Sequence, residues 1–187
     1  KDYKELGKLA FVLHAHLPYV RKNEKNSLEE DWLFQAILES YLPLLQVMES
    51  AAKLNNNSKL TISLSPTLLS LLKDPELRAK FPEWIITRID LLNELSKEDK
   101  IYSEFLLKKL QEQLKDWEKC EGDLIRRFKK LSRTGFLDIM TCAATHGYLP
   151  ILRENEETVI GQIKTAIRFH ENIFEFKPLG IWLPECA

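Results

Sequence analysis

The apolar residues of the chain form two patterns, short continuous runs and longer stretches with helical spacing. The runs are rich in β-branched and aromatic residues, which is typical of strands buried in a parallel sheet. They predict four strands, at Leu9–Leu13, Leu60–Leu64, Phe136–Ala144 and Leu179–Leu183. A polar turn at residues 55–58 precedes the second strand.

Helical spacing follows the first strand. Ser27 and Glu30 form a Ser-x-x-Glu capping box at the start of a helix that reaches Ala51. Pro43 is predicted to kink this helix because a proline in the interior lacks the N–H for the helical hydrogen bond.

A second helical stretch extends from residue 66 to about residue 133. Short helices bounded by Pro75 and Pro82 come first, and one long helix that ends before Gly135 follows them. A last helix is predicted at Glu156–Phe169, with the preceding asparagine as its N-cap.

The predicted order is β-α-β-(helices)-β-α-β, which indicates an α/β fold with a parallel sheet or barrel. The middle helical stretch is longer than an ordinary crossover between strands. We therefore expect residues 1–65 to form the first part of this sheet or barrel, 66–135 an inserted helical subdomain and 136–187 the continuation of the sheet or barrel.

Composition narrows the class of function. The 187 residues include 27 Lys and Arg against 28 Asp and Glu, so the formal charge of −1 offers no basic excess for nucleic acid or an anionic membrane surface. The apolar run near the N-terminus is far shorter than the roughly 20 residues of a membrane span, and no signal peptide is predicted. The 3 cysteines lack metal-finger spacing and favour reduced thiols in a cytoplasmic protein.

In parallel α/β folds the ligand site lies at the carboxyl ends of the strands. His14 and His16 follow the first predicted strand, His146 follows the third, and Trp182 and Glu185 end the fourth. Two histidines at alternate positions project to one side, which suits a shared metal ion or two hydrogen bonds to a polyhydroxylated ligand. The carboxylate suits a nucleophile, general acid or metal ligand, and the indole offers a flat face for a sugar ring.

Three other residues favour structural roles. Ser65 precedes Pro66 and Thr67, a pattern typical of a helix start rather than of a catalytic element. His170 lies in an amphipathic helix, and Cys186 belongs to no evident arrangement of cysteine, histidine and acid. We expect Cys186 to be a small buried packing residue.

Three segments, His14–Arg21, Ala144–Pro150 and Gly180–Ala187, carry a resemblance to a known family. In order and spacing they resemble the first three sequence motifs of glycoside hydrolase family 57, and most closely its 1,4-α-glucan branching enzyme subgroup. The resemblance covers essentially the whole chain. Because the chain starts at Lys1 rather than Met and stops at the third motif, we expect it to be an N-terminal fragment.

The resemblance implies the N-terminal part of an incomplete (β/α)7 barrel with parallel strands and an inserted helical subdomain. It also implies a retaining transglycosylase that forms α-1,6 branches from α-1,4-glucan, such as amylose or a glycogen-like polysaccharide, without metal or cofactor. Glu185 matches the position of the catalytic nucleophile, and His14, His16, His146 and Trp182 match positions that line the donor sugar subsite.

The family's general acid is an aspartate in a later motif, outside this sequence. The resemblance therefore implies that these 187 residues are inactive alone and that their sheet has an open edge with exposed apolar faces.

Two other classes of function fit the same residues. A metal-dependent hydrolase would use His14, His16 and His146 to bind a divalent ion that activates water. A non-catalytic glucan-binding or interaction protein would use the helical stretch as its surface. Branching, hydrolysis and 4-α-glucanotransfer also stay open, as does the oligomeric state, because acceptor choice depends on loops and a domain outside this sequence.

Overall fold

The computed structural model describes residues 7, 9–21, 27–54, 59–95 and 100–187. Its elements in chain order are β1 (Val12–Ala15), α1 (Leu28–Ala36), α2 (Leu42–Lys53), β2 (Leu60–Leu64), α3 (Pro66–Lys73), α4 (Pro75–Leu95), α5 (Lys100–Lys119), α6 (Leu124–Arg133), β3 (Leu137–Cys142), α7 (Leu149–Leu152), α8 (Glu156–Phe174) and β4 (Ile181–Trp182). The turn predicted at residues 55–58 lies outside the described residues. None of the described helices is long and apolar enough to cross a membrane.

The four strands form one parallel sheet in the order β1-β2-β3-β4. His14 lies opposite Ser63 in the pairing of β1 with β2, and Cys142 lies opposite Trp182 in the pairing of β3 with β4. The α/β class and the parallel sheet predicted from the sequence are confirmed. All four carboxyl ends lie at the same edge of the sheet.

The first strand differs from the prediction in position and in burial. The strand is Val12–Ala15 rather than Leu9–Leu13, and the side chain of Phe11 is 60% exposed. Because β1 is an edge strand of the sheet, fewer described elements cover its apolar side chains than would cover a central strand.

Contacts divide the chain into two compact units. The sheet unit takes in residues 1–16, 57–66 and 132–187, with the four strands, α7 and α8, and the helical unit takes in 17–56 and 67–131. Within the sheet unit, α8 packs against β3. The assignment of residues 66–135 to a subdomain inserted into a barrel remains a prediction.

The predicted N-cap of α1 is confirmed, because the Ser27 hydroxyl accepts a hydrogen bond from the Glu30 backbone N–H. The helix then passes through a π turn, Ile37–Tyr41, and continues as α2. Pro43 is the second residue of α2, and because the helix is continuous through Tyr41 its missing N–H removes a helical hydrogen bond at this point. The interruption expected near the proline is therefore a wider helical turn just before it.

Two predicted helix boundaries in the helical unit are wrong. Pro82 does not bound a helix but lies inside the 21-residue α4. The predicted long helix is divided into α5 and α6 by Glu121 and Gly122, which have positive φ angles of 54° and 67°. A Cβ on Gly122 would approach the Trp117 ring to 2.7 Å, so this turn requires glycine.

A buried charge network ties together three helices of the helical unit. The Arg127 guanidinium on α6 donates to both carboxylate oxygens of Glu49 on α2, at 2.8 and 2.9 Å. It also donates to Asp116 on α5 at 2.7 Å. Burial alone would lower the pKa of Arg127, but the hydrogen bonds to Glu49 and Asp116 outweigh this effect and raise the pKa.

In the sheet unit, α8 starts at its predicted N-cap, Asn155, whose side chain accepts from the Thr158 N–H, but ends at Phe174 rather than at Phe169. His170 on this helix is fully buried, and its ring centroid lies 4.7 Å from that of Phe174 and 5.2 Å from that of Phe176. Neither ring nitrogen of His170 has a hydrogen-bond partner. Burial in this apolar setting lowers the pKa of His170 to about 4.

We expect Arg127→Met to lower the free energy of unfolding by about 3 kcal/mol, because Glu49 and Asp116 lose a partly buried partner. Arg127→Lys should cause a smaller loss, since an ammonium cannot make the forked contact. Urea denaturation followed by circular dichroism measures both. Arg133→Met is the control, because Arg133 forms an exposed pair with Glu175 and should change stability by less than about 0.5 kcal/mol. Equal losses at the two arginines would contradict the assigned role.

We expect His170 to make stability depend on pH. Its pKa is lowered in the folded chain to about 4 from 6.5, so only the unfolded chain gains this proton as the pH falls below 6.5. The contribution of His170 to the free energy of unfolding is complete above pH 6.5, and up to about 3 kcal/mol of it is lost as the pH falls to 4. Urea denaturation of wild type and His170→Gln, which keeps polar atoms but does not titrate, should give stability differences that change over this range. Parallel pH profiles would show that His170 does not titrate as proposed.

Candidate functional site

Side chains from the carboxyl ends of β1 and β4 meet in the sheet unit although two strands separate these elements. The His14 and Trp182 rings stack with their centroids 5.1 Å apart and an interplanar angle of 12°. In a flat sheet the two strands would lie about 14 Å apart. The sheet must therefore curl, and its concave side brings the strand ends together.

His14 and His146 are in hydrogen-bond contact, with 3.0 Å between their Nε2 atoms. One of these nitrogens must donate and the other accept, so the two rings have complementary protonation at this contact. The His14 Nδ1 is buried and has no hydrogen-bond partner. If His14 donates through Nε2, its buried Nδ1 carries no proton, and no N–H is left unpaired there. His146 then accepts through Nε2 and carries its proton on Nδ1.

His16 is fixed by a residue that the sequence analysis assigned only to a helix start. Its Nδ1 lies 2.9 Å from the hydroxyl oxygen of Ser65, which is buried at the end of β2. The His16 ring stacks on that of His146, with centroids 3.6 Å apart and planes 9° apart. Its position at the carboxyl end of a predicted strand could have identified Ser65 as a site residue, because the same position identified the histidines.

The first two histidines are held in their neutral form. Burial lowers the pKa of His14, and the neighbouring His146 lowers it further against the opposing effect of Glu185. Burial, followed by the repulsion of His146 and His14, lowers the pKa of His16 to about 4. Neutral imidazoles can donate and accept hydrogen bonds, which suits an uncharged polyhydroxylated ligand.

Glu185 lies in a 3₁₀ turn, Pro184–Cys186, directly after β4. Its Oε1 lies 3.7 Å from Nδ1 of His146, and its side chain is 71% exposed. Both Glu185 and His146 have a φ of 55°, which is uncommon for residues other than glycine. Such backbone conformations concentrate at functional sites, and here both occur at the same end of the sheet.

The predicted site residues His14, His16, His146, Trp182 and Glu185 are thus brought into one connected cluster. Each contacts at least one other member through a ring stack, a hydrogen bond or the 3.7 Å approach of His146 Nδ1 to Glu185 Oε1. The side chains provide flat aromatic faces, neutral imidazoles and a solvent-accessible carboxylate. This combination suits an attack by the carboxylate on a sugar that lies over the rings.

Cys142, at the end of β3, is a neighbour of this cluster that the sequence analysis missed. Ligand atoms of His14, Cys142 and His146 lie within 4.8 Å of one another, a spacing that would admit a metal ion. However, the two histidines use their Nε2 atoms for each other, and burial raises the pKa of Cys142 to about 11. A metal ion would have to break that hydrogen bond and displace the thiol proton.

Cys186 is exposed rather than buried, so the packing role expected for it is wrong. Its φ of 64° continues the left-handed turn that starts at Glu185. The turn carries the cysteine away from the interior, which the residue type alone did not indicate.

The chain is similar to proteins of known activity along almost its whole length. It is 37% identical to a 1,4-α-glucan branching enzyme of Thermococcus kodakarensis, over 97% of this chain and 27% of that protein. It is 26% identical to a probable 1,4-α-glucan branching enzyme of Mycobacterium tuberculosis, over 97% of this chain and 38% of that protein. The chain therefore spans about a third of the length of these relatives.

Several solved structures also match almost the whole chain. The branching enzyme of Thermococcus kodakaraensis, in complex with glucose and additives, matches with a TM-score of 0.91 and 36% identity, over 97% of this chain and 33% of that one. A branching enzyme of Pyrococcus horikoshii matches with a TM-score of 0.90 and 35% identity, over 97% and 35% of the two chains. An α-amylase of Thermotoga maritima matches with a TM-score of 0.88 and 34% identity, over 97% and 36%.

These matches confirm the expected fold, in which the four parallel strands are the N-terminal part of a (β/α)7 barrel. The family model of glycosyl hydrolase family 57 matches residues 10–187, a span that includes all three segments of the resemblance. The chain belongs to glycosyl hydrolase family 57.

Proposed function

We propose that this chain is part of a 1,4-α-glucan branching enzyme and contributes the catalytic nucleophile, Glu185. The observation that carries the proposal is the exposed carboxylate of Glu185 beside His146, at the strand edge where the imidazoles and Trp182 meet. The names of the relatives support branching as the activity. The whole protein's activity and substrate remain part of this proposal.

The rings of the cluster form the donor sugar subsite in this proposal. Trp182 stacks on His14, so one glucose ring can extend the stack by placing its apolar face against this surface. His14 and His16 present neutral imidazoles, which hydrogen-bond sugar hydroxyls without the desolvation penalty of a charge. The proposed substrate is an α-1,4-glucan, amylose or a glycogen-like polysaccharide, and no cofactor takes part.

The proposed reaction has two displacements. A carboxylate oxygen of Glu185 forms a bond to the anomeric carbon while the bond from that carbon to O4 of the next glucose breaks, and a general acid protonates the departing O4. The 6-hydroxyl of an acceptor glucan then attacks the same carbon, gives its proton to that acid in its deprotonated form, and releases Glu185. Two inversions at one carbon retain the α configuration.

The His146 contact suits the first displacement. A proton on Nδ1 of His146 would point toward Glu185 Oε1, 3.7 Å away, and orient the carboxylate without neutralising it. The second carboxyl group of a retaining enzyme lies about 5 to 5.5 Å from the nucleophile. By the family resemblance this group is an aspartate in a later motif.

We also place the enzyme in the cytoplasm. Cys120 and Cys142 are buried free thiols, and burial raises the pKa of both. Buried thiols outside disulfides suit a reducing compartment.

We expect Glu185→Gln in the complete polypeptide to lower the rate of α-1,6 linkage formation from amylose by at least about 10³-fold, because an amide is not a nucleophile. The assay counts new α-1,6 linkages and new reducing ends, which separates branching from hydrolysis. Glu175→Gln is the matched control, since Glu175 is also an exposed glutamate with a positive φ in the sheet unit. It should keep wild-type activity.

The same assay with EDTA tests the metal-dependent alternative. Wild-type activity should be unaffected by chelation, because the proposed chemistry uses a carboxylate and not a metal-bound water. Loss of activity on chelation, or full activity of Glu185→Gln, would contradict the proposal. Glucan binding by wild type without any turnover would favour a non-catalytic binding protein.

We expect the nucleophile to be trapped as a covalent adduct. A fluorinated α-glucosyl fluoride that slows the second displacement should add one glycosyl group to the complete polypeptide. Peptide mass spectrometry should find this group on Glu185, and Glu185→Gln should not be labelled. A label on another carboxylate would move the nucleophile elsewhere and leave the retaining chemistry intact.

A further inference from the structure

We infer that Ser65 is a positioning residue that holds the His16 ring in the orientation needed for catalysis. The inference rests on the proposed function of the histidine cluster. Neither the resemblance nor the relatives assign a role to this serine. Its only expected role from the sequence was at the start of a helix.

Ser65 contacts the His14-Ala15-His16 segment through both its backbone and its side chain. Its backbone N–H donates to the carbonyl oxygen of Ala15 at 3.1 Å, which extends the pairing of β1 with β2 by one step. Its hydroxyl oxygen lies 2.9 Å from Nδ1 of His16. Ser65 has no exposed surface, and Pro66 follows and restricts its backbone, so the hydroxyl has a fixed position.

A hydrogen bond at one ring nitrogen fixes the rotation of an imidazole about its Cβ–Cγ bond. Rotation of the His16 ring out of its present plane would carry Nδ1 away from the Ser65 hydroxyl and lose the bond. The fixed plane is the one that lies 9° from the His146 plane at a centroid distance of 3.6 Å. Ser65 therefore sets the surface on which His146 rests.

The contacts continue from His146 to the nucleophile. His146 is held on one face by His16, at one nitrogen by His14, and faces Glu185 Oε1 with the other nitrogen at 3.7 Å. If the His16 ring rotates, His146 loses its flat support and the carboxylate loses an oriented neighbour. The effect of Ser65 on catalysis is thus indirect, through two histidines.

The test compares four variants of the complete polypeptide, each with a single substitution. Ser65→Ala removes the hydroxyl, Ser65→Thr keeps it, and Ser65→Val has the shape of threonine without it. Ser63→Ala is the matched control, because Ser63 lies on β2 two residues before Ser65, has no exposed surface, and its hydroxyl donates to the backbone carbonyl of Thr141. A purely structural role would give Ser65→Ala and Ser63→Ala the same consequences.

We expect Ser65→Ala and Ser65→Val to lower kcat/KM for branching by about 3- to 10-fold, the size of one lost hydrogen bond, with most of the change in kcat. Ser65→Thr should recover most of the loss relative to Ser65→Val. Ser63→Ala should lower thermal stability but leave kcat/KM unchanged. Wild-type kcat/KM in Ser65→Ala, or equal losses in the threonine and valine variants, would overturn the inference.

A crystal structure of the complete Ser65→Ala polypeptide gives a second readout that does not depend on the reaction. The His16 ring should leave its stack with His146. If it keeps its orientation, the positioning role fails even when the enzyme branches glucan. If wild type does not branch glucan but the ring moves in Ser65→Ala, the proposed function fails and the structural link from Ser65 to His16 stands.

Discussion

The site depends on the curl of a four-stranded parallel sheet. Parallel strands place all their carboxyl ends at one edge, but a flat sheet would keep the ends of β1 and β4 apart. Curling brings the His14 and Trp182 rings to a centroid distance of 5.1 Å. The rest follows from this approach, since His146 can then contact His14 and face Glu185. The proposed site is therefore built from side chains that are far apart in sequence and are held by the sheet, by ring stacks and by side-chain hydrogen bonds.

Much of this arrangement could be predicted from the sequence. Apolar runs located four parallel strands, and the polar residues after three of them were those that the structure assembles. Periodicity failed where backbone conformation decides the outcome. Gly122 ends a helix because its turn needs a positive φ and a bare Cα against Trp117, although apolar spacing continues past it. Ser65 was missed because its hydroxyl acts on a histidine 49 residues away, a contact that no local pattern records.

The two units differ in whether certain buried ionisable side chains have hydrogen-bond partners. In the helical unit, all three guanidinium nitrogens of Arg127 donate to the carboxylates of Glu49 and Asp116. In the sheet unit, His170 and the Nδ1 of His14 are buried without partners. Unsatisfied groups favour neutral imidazoles, since a charge there would be still more costly to bury. Near the site this preference suits the uncharged ligand that we propose, whereas at His170 it acts on the stability of the fold.

The strand order β1-β2-β3-β4 is also the order of the strands in the chain. During synthesis, each new strand can therefore add to an edge that already exists, without displacing one that has paired. The helices from Pro66 to Arg133 leave the ribosome before β3. Glu49 and Asp116, the two carboxylates that pair with Arg127, are synthesised before it. Glu185 comes last among the proposed site residues, so the histidines are synthesised before the proposed nucleophile.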